Sequence, residues 1–187
     1  MIIIGITGTL GAGKGTIVDY LVRNHGFVHF SVREYLVKEI TLRGLRVNRD
    51  NMVLVANELR AAHYPSYIVE QLYNIALQNQ RSCVIESIRT PGEAEMLKTK
   101  GNFYLFAVDA DAELRYHRIS LRASETDHVS FDTFIENEKR EMTSEDPNKQ
   151  NLKKCIEMAD YVLLNNGCID DLYNELIVVL NKIDKDD

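Results

Sequence analysis

A glycine-rich segment near the start of the chain has the composition and spacing of a phosphate-binding loop. Residues 8–14 read G-x-x-x-x-G-K and lie directly between an apolar β-branched run, residues 2–6, and a helical pattern. Small residues let successive backbone N–H groups surround a phosphate, and the helix N-terminus adds partial positive charge. The lysine reaches the terminal phosphates, where charge builds up during transfer. The alternative is a glycine-rich turn with a solvated lysine. The predicted phosphate ligands are Gly8, Gly11, Ala12, Gly13, Lys14, Gly15 and Thr16.

The residue after the lysine distinguishes this loop from those of most switch GTPases and motor ATPases. Gly15 stands where a Ser or Thr hydroxyl usually contacts Mg²⁺, and Thr16 follows one position later. The run Gly13-Lys14-Gly15-Thr16 resembles the G-K-G-T form of adenylate kinase and other nucleoside monophosphate kinases. This resemblance implies ATP as the phosphoryl donor, Mg²⁺ as the cofactor, Lys14 as a catalytic residue and Thr16 as a Mg²⁺ contact, directly or through water.

A second apolar run, residues 83–86, ends in an acid that is followed by a nearby arginine. Adenylate kinases carry D-G-x-P-R at a similar distance from the phosphate loop, and this chain has Glu86-Ser87-Ile88-Arg89. The resemblance implies that Glu86 holds Mg²⁺ through its waters and that Arg89 binds the acceptor phosphate. Glu replaces Asp, Ser replaces Gly and the proline is absent. The alternative role for Glu86 is that of a solvated acid at a strand end.

Two arginines spaced four residues apart close the helical pattern that follows the third apolar run. Arg118 and Arg122 lie on one helix face and resemble the R-I-x-x-R with which the adenylate kinase lid begins. The resemblance implies that both are catalytic, because two guanidinium groups there stabilise the transferring phosphoryl group. The alternative is an exposed basic face paired with acids such as Glu113. Arg115 and Arg140 are weaker lid candidates, and we expect them at the surface.

The last apolar run resembles a different kinase. Residues 159–167 read A-D-Y-V-L-L-N-N-G, which is similar to the A-D-x-V-I-x-N-x-G of dephospho-CoA kinase. In both families this segment lies near the adenine of ATP, so the resemblance implies that Asn166 and Gly167 bind the donor nucleotide. The combined resemblance extends over the whole chain, closely at residues 1–16, moderately at 83–122 and 159–180, and poorly at 31–80.

The poorly matching region is where the acceptor should bind. Residues 30–36 occupy the place of the I-S-T-G-D-x-L-R segment of adenylate kinases, but Val37 stands where their phosphate-binding arginine would be. The charge is provided instead by Arg33 or by Arg60, each with an ordinary surface role as the alternative. Ser31 and Glu34 are candidate contacts to the acceptor sugar or base. Ser31 is equally suited to be the N-cap of the following helix.

A motif near the end of the chain points elsewhere and carries less weight. Residues 181–184 spell N-K-x-D, the guanine-recognition motif of GTPases. The apolar stripe of Leu172, Leu176, Val179, Leu180 and Ile183 nevertheless predicts a helix there rather than the strand that precedes this motif in GTPases. The five histidines form no spaced cluster. We expect each of them to be structural or solvated.

Strand and helix patterns alternate along the chain and define the expected architecture. Buried strands are predicted at 2–6, 83–86, 103–109 and 161–164, with a short extended segment at 27–30. Helices are predicted between them, and such alternation implies a parallel sheet covered on both faces. We therefore predict a three-layer α/β/α P-loop kinase fold in a single domain. Its core comprises 1–30, 81–121 and 148–187, with a helical acceptor-binding insertion at about 31–80 and a short lid at about 122–147.

Composition excludes several classes of function. The chain has 187 residues and a formal net charge of −6, so no general positive field attracts nucleic acid or an anionic membrane. Three widely spaced cysteines, Cys83, Cys155 and Cys168, suggest reduced thiols that bind no metal. Residues 1–6 lack a basic leader and no apolar run is long enough to span a membrane, so we expect a cytoplasmic protein. The expected assembly is a monomer or homodimer.

These motifs predict an ATP- and Mg²⁺-dependent kinase that acts on a small-molecule nucleotide. The first hypothesis is a nucleoside or deoxynucleoside monophosphate kinase, in which no general base is needed because the acceptor phosphate is already anionic. The alternative is transfer to a hydroxyl, as in dephospho-CoA kinase, with Glu34 as the base. A less favoured alternative is a nucleotide-binding regulatory or GTPase-like module.

Overall fold

The computed structural model of the chain describes residues 1–122 and 129–186. Within these ranges there are five strands and nine helices, and all except the eighth helix follow one another in the order that the sequence pattern indicates. They are β1 (Ile3–Gly8), α1 (Lys14–His25), β2 (Val28–Ser31), α2 (Val32–Leu42), α3 (Arg49–Ala62), α4 (Tyr67–Asn79), β3 (Cys83–Glu86), α5 (Pro91–Lys98), β4 (Phe103–Asp109), α6 (Ala112–Arg122), α7 (Phe131–Met142), α8 (Leu152–Glu157), β5 (Tyr161–Leu164) and α9 (Ile169–Asp186). Residues 123–128 of the predicted lid lie outside the described residues.

The strands form one sheet in the order β2-β3-β1-β4-β5. Every pair of neighbouring strands is parallel, and β1 lies at the centre, with Ile3 in register with Cys83 on one side and with Phe103 on the other. The predicted parallel sheet is therefore confirmed. Because all strands run the same way, the loops that follow β1, β3 and β4 meet at one edge, where α/β proteins bind their ligands.

Apolar character on both faces of β1 explains its central place. All of its residues are buried. Ile3 packs into one core cluster with α2, α3, α4 and α5, whereas Ile4 and Ile6 pack into a second cluster with α1 and α9. The helices therefore cover both faces of the sheet and form the outer layers of an α/β/α fold, because a central parallel strand must bury both faces.

Two segments near the end of the chain bear on the predictions from the sequence: one helix was not predicted, and the N-K-x-D segment is helical as predicted. Helix α8 was not predicted; it is a short element whose Asn151 N-cap accepts a hydrogen bond from the Lys154 backbone N–H. The N-K-x-D segment lies within α9, and the stripe from Leu172 to Ile183 is buried as a helix requires. None of the helices in the described ranges has the length and apolar character needed to cross a membrane.

Candidate active site

The phosphate loop joins the carboxyl end of β1 to the first turn of α1. Gly13 precedes that helix with a φ of 105°, in the left-handed region that favours glycine, and an added Cβ would overlap the Asn165 amide. Gly8 has a φ of 130°, and a Cβ there would overlap the Val108 carbonyl of β4. By contrast, a Cβ at Gly15 would have no neighbour within 4 Å. The glycines at 8 and 13 are thus required by the path of the loop, while Gly15 leaves open space beside it.

Lys14 is enclosed by the loop that it follows. Its side chain is 8% exposed, and its Nζ donates to the carbonyl oxygens of Gly8 at 3.1 Å and Thr9 at 2.7 Å. Burial, followed by the positive charge of Arg89, lowers the pKa of Lys14 to about 7, although Glu86 and Glu141 oppose the shift. A phosphate bound in the loop would place negative charge beside this side chain and so favour its charged form.

A cavity of about 460 Å³ opens beside the loop at the carboxyl edge of the sheet. Two of its walls are apolar side chains from α2 and α3, including Leu36 and Met52. Among the described residues, seven basic side chains and two carboxylates line it: Lys14, Arg33, Arg49, Arg60, Arg89, Arg118 and Arg122, with Glu86 and Glu141. This cavity therefore concentrates positive charge in a protein whose net charge is −6.

The cavity brings together most of the residues that the sequence singles out. The loop contributes Gly11, Gly13, Lys14, Gly15 and Thr16, and the strand and helix ends contribute Glu86, Arg89, Arg118 and Arg122. The predicted acceptor residues Arg33 and Arg60 also line it. Gly8 and Ala12 lie behind it as buried loop backbone.

Besides Gly8 and Ala12, four predicted residues do not line this cavity: Ser31, Glu34, Asn166 and Gly167. Ser31 is the N-cap of α2, where its hydroxyl accepts a hydrogen bond from the Glu34 backbone N–H at 3.2 Å, the structural role that its position also indicated. Glu34 is exposed in the first turn of that helix. Asn166 is exposed and bonds to Asp111, with its Oδ1 accepting from the Asp111 N–H at 2.8 Å.

Asn165, which the sequence analysis did not select, is the residue of this segment that contacts the phosphate loop. Its Nδ2 donates to the Ala12 carbonyl at 2.8 Å, and its Oδ1 accepts from Arg118 at 3.3 Å. The side chain is buried, with 7% of its surface exposed. The only indication in the sequence was its position directly after the pattern of the last strand, because ligands of α/β proteins bind at the carboxyl ends of the strands.

Glu86 ends β3, and its neighbour is a histidine in one of the roles expected from the sequence, a structural one. His29 Nε2, on the adjacent strand β2, lies 3.2 Å from Glu86 Oε2. Burial raises the pKa of Glu86, but the hydrogen bond to His29 and the charges of Lys14 and Arg89 outweigh burial, so this pKa lies below its usual value. Glu86 is therefore an ionised carboxylate at neutral pH.

Arg118 and Arg122 extend along α6 toward the cavity, but their neighbour Arg115 corrects one expectation. Arg115 is not at the surface: it is 4% exposed and donates to the Ala110 carbonyl at 2.6 Å and to the Leu10 carbonyl of the phosphate loop at 3.3 Å. It also pairs with Glu138 of α7. Buried guanidinium groups require such partners, so Arg115 connects α6, α7 and the loop. Arg140 is exposed, as expected.

A second group of paired arginines that line the cavity comes from outside α6. Arg89 Nη1 donates to Glu141 at 2.8 Å and to Gln150 at 3.1 Å. Arg49, the first residue of α3, lies 2.7 Å from the same Glu141 carboxylate. Arg49, Glu141 and Gln150 were not predicted as site residues, because their contacts join segments that are far apart in the chain.

Arg60 is more deeply buried than a surface or purely acceptor-binding arginine would be. It is 1% exposed, and its Nε and Nη2 donate to Glu93 Oε1 at 3.1 and 2.8 Å. Its Nη1 is buried and has no hydrogen-bond partner among the described residues. Glu93 in turn accepts hydrogen bonds from the backbone N–H groups of Arg89 and Thr90. Arg60 therefore supports the loop that carries Arg89.

Comparison with known proteins agrees with this geometry. A profile of the AAA domain family matches residues 4–146. A UPF0200 protein from Methanococcus vannielii is 31% identical over 186 residues, which cover 98% of this chain and 97% of the relative. The chain belongs to the AAA domain and UPF0200 families. This chain and the M. vannielii relative therefore match over almost the whole of both lengths.

Solved structures with the same arrangement of elements include small-molecule kinases. A gluconokinase from Sinorhizobium meliloti has a TM-score of 0.59 at 11% identity and covers 99% of this chain and 94% of its own. A shikimate kinase from Aquifex aeolicus has a TM-score of 0.52 at 13% identity, with 97% of each chain covered. At these identities the likeness concerns the fold alone. The protein thus has a P-loop kinase fold.

The oxygen donors beside the loop fit a Mg²⁺ ion that is held mainly by nucleotide phosphates. In the ranges that the structure describes, no group of three or more His, Cys, Asp or Glu side chains is arranged to hold a metal by itself. Mg²⁺ usually needs only one or two protein oxygens, because phosphates and water provide the rest. Glu86 is ionised, and both Glu86 and Thr16 line the cavity beside Lys14.

Proposed function

We propose that this protein is an ATP- and Mg²⁺-dependent kinase that phosphorylates a nucleoside or deoxynucleoside monophosphate. The observation that carries the proposal is that one cavity is lined both by Lys14 of the phosphate loop and by Arg33, Arg49 and Arg89 from other segments of the chain. Two anionic groups, the donor triphosphate and an acceptor phosphate, fit such a distribution of positive charge. An uncharged acceptor would make no use of the positive charge of these arginines.

The donor side would use the loop and α6. Lys14 and the loop N–H groups bind the donor phosphates, while Arg118 and Arg122 neutralise the charge of the transferring phosphoryl group. Asn165 holds the Ala12 carbonyl and Arg118, and so keeps the loop and the catalytic arginine in register. Asn166 and Gly167 remain our predicted contacts to the donor base. Mg²⁺, when bound, would screen the phosphate charge, with Glu86 holding its waters and Thr16 close to it.

The acceptor side would use the insertion that α2, α3 and α4 form between β2 and β3. Its cavity wall combines apolar side chains such as Val32, Met52 and Ala56 with arginines. A flat base packs on such a wall while its phosphate meets the guanidinium groups. The acceptor phosphate oxygen is anionic and attacks the γ-phosphorus directly, so no residue has to accept a proton. The lid of about residues 122–147 would exclude water when it closes.

One observation keeps a hydroxyl acceptor as the second candidate. Transfer to a hydroxyl, as in a dephospho-CoA kinase, needs a carboxylate to accept the proton. Glu34, the base suggested by the sequence, does not line the cavity, whereas the ionised Glu86 does. In a hydroxyl kinase, Glu86 would therefore be the base.

A panel of acceptors in a coupled ADP-release assay tests the proposal. We expect ADP release to be stimulated by at least one nucleoside or deoxynucleoside monophosphate, and to be lost in Lys14→Ala but kept in Lys38→Ala, a change at an exposed residue. Stimulation by dephospho-CoA and by no monophosphate would establish the hydroxyl kinase instead. ATP binding that no acceptor converts into ADP release would favour a regulatory module.

A further inference from the structure

One carboxylate of the cavity lies between two arginines from different parts of the chain. Glu141, near the end of α7, accepts from Arg49 Nε at 3.0 Å with Oε1 and from Arg89 Nη1 at 2.8 Å with Oε2. Each carboxylate oxygen therefore has its own guanidinium partner. Gln150 accepts a further hydrogen bond from Arg89 at 3.1 Å and so fixes the position of that guanidinium group.

The exposure of these side chains distinguishes the cluster from an ordinary surface ion pair. The Glu141 side chain is only 6% exposed, whereas those of Arg49 and Arg89 are 19% and 20% exposed, and all three line the cavity. Burial lowers the pKa of Arg49, and the charge of Glu141 opposes that shift. The two arginines therefore need an anion between them, and the cavity gives an anionic ligand access to both.

A carboxylate and a phosphate offer arginine the same kind of contact. Both present a pair of anionic oxygens that accept parallel N–H donors, although the carboxylate is planar and the phosphate is tetrahedral. A phosphate monoester carries about −1.5 to −2 charges at pH 7 and has an additional acceptor oxygen, whereas Glu141 carries a single charge. A phosphate can therefore replace the carboxylate between two guanidinium groups, and a neutral hydroxyl cannot.

We propose that Arg49 and Arg89 are the clamp for the acceptor phosphate, and that Glu141 is the internal anion which the phosphate displaces. This inference rests on the proposed function and adds to it a specificity-determining exchange. Glu141 holds the two guanidinium groups of the clamp in place until a phosphate replaces it. An acceptor enters only if its charge exceeds that of the displaced carboxylate, which selects dianionic phosphates against sugars and carboxylic acids.

Titration of inorganic phosphate tests the exchange without any assumption about the acceptor's base or sugar. The protein is first saturated with Mg²⁺ and a non-hydrolysable ATP analogue, so that the phosphate loop is filled, and phosphate binding is then measured by calorimetry. We expect Glu141→Gln to bind phosphate about tenfold more tightly than wild type, because the amide does not compete as an anion. Glu136→Gln, a matched change at an exposed residue of α7, should bind phosphate as wild type does. Arg49→Ala should bind it at least about tenfold more weakly.

The results separate the exchange from a merely structural ion pair. Unchanged or weaker phosphate binding by Glu141→Gln would overturn the exchange, as would unchanged binding by Arg49→Ala. If Glu141→Gln folds poorly, Glu141→Asp provides a second test, because it keeps the charge but shortens the side chain by one methylene. It should also bind phosphate more tightly than wild type, and weaker binding would overturn the proposal. If the phosphate titrations behave as expected while no monophosphate stimulates ADP release, the clamp stands and the proposed acceptor is wrong.

Discussion

At the scale of single residues, burial determines the chemistry of the phosphate loop. Lys14 is enclosed by the loop carbonyls of Gly8 and Thr9 and lies among arginines that line the same cavity. Its ammonium group is thus costly to keep charged while the loop is empty. The negative charge of a donor phosphate would reverse that cost, so binding and protonation are coupled at this one side chain.

This coupling predicts that ATP affinity depends on pH. The pKa of Lys14 is about 7 in the empty protein, and bound phosphate raises it toward or above its usual value. The complex then holds more protons than the free protein, so affinity should fall as pH rises above about 7, by up to about tenfold for each pH unit. Calorimetry of a non-hydrolysable ATP analogue at about pH 8, in two buffers with different ionisation enthalpies, should reveal proton uptake.

The control for this prediction removes the titrating group. Lys14→Met should bind the analogue weakly at all pH values and show no proton uptake. Equal heats of binding in the two buffers for the wild-type protein would contradict a neutral Lys14 in the empty loop.

At the scale of secondary-structure elements, α7 connects two helices whose residues line the cavity, α6 and α3. Its residues Glu138 and Glu141 are three positions apart and therefore lie on one helix face. Glu138 pairs with Arg115 of α6, and Glu141 pairs with Arg49 of α3. The donor-side helix and the acceptor-side helix are thus both attached to α7, and a ligand that displaces Glu141 would change the contacts of only one of these attachments.

The end of β5 provides a prediction about the donor side. Asn165→Ala leaves the buried Ala12 carbonyl and Arg118 without their partner, which should cost about 1–3 kcal/mol of stability. We expect the KM for ATP to rise several-fold, with little change in the KM for the acceptor. The measurements are steady-state kinetics with each substrate and unfolding in urea.

Asn166→Ala is the matched control for the stability measurement, since Asn166 is exposed and bonds only to Asp111 among the described residues. It should leave the stability almost unchanged. A larger effect on the KM for ATP in Asn166→Ala than in Asn165→Ala would show that Asn166 is the more important contact to the donor.

How well each feature could be predicted depended on how far apart in the chain its interacting residues lie. Strands and helices were predictable because their apolar patterns are local, and β1 with its phosphate loop was correctly placed from residues 2–16 alone. The pairs Arg60–Glu93 and Arg89–Glu141 join residues 33 and 52 positions apart. No periodic pattern records such pairs, so Glu141 and Asn165 were missed and Arg115 was wrongly expected at the surface.

At the scale of the whole molecule, the charge is divided between an acidic exterior and a basic cavity. The formal net charge is −6, which by itself would repel a polyanion. At physiological ionic strength, however, charges are screened beyond about 8 Å. The field inside the cavity is therefore set by the seven basic side chains and two carboxylates that line it among the described residues, rather than by the distant acids of the surface.

This division predicts that a simple polyanion stabilises the folded protein despite its net negative charge. Tripolyphosphate, which has neither base nor sugar, should raise the melting temperature, with a gain of about 2.7 kcal/mol at a concentration of 100 times its Kd. Sodium chloride at equal ionic strength should have much less effect, because it screens charges without filling the cavity. Lys14→Ala should lose most of the stabilisation by tripolyphosphate, whereas Lys38→Ala, at an exposed position on α2, should keep it. Equal shifts with tripolyphosphate and chloride would contradict a local basic site, since they would show that the protein responds only to ionic strength.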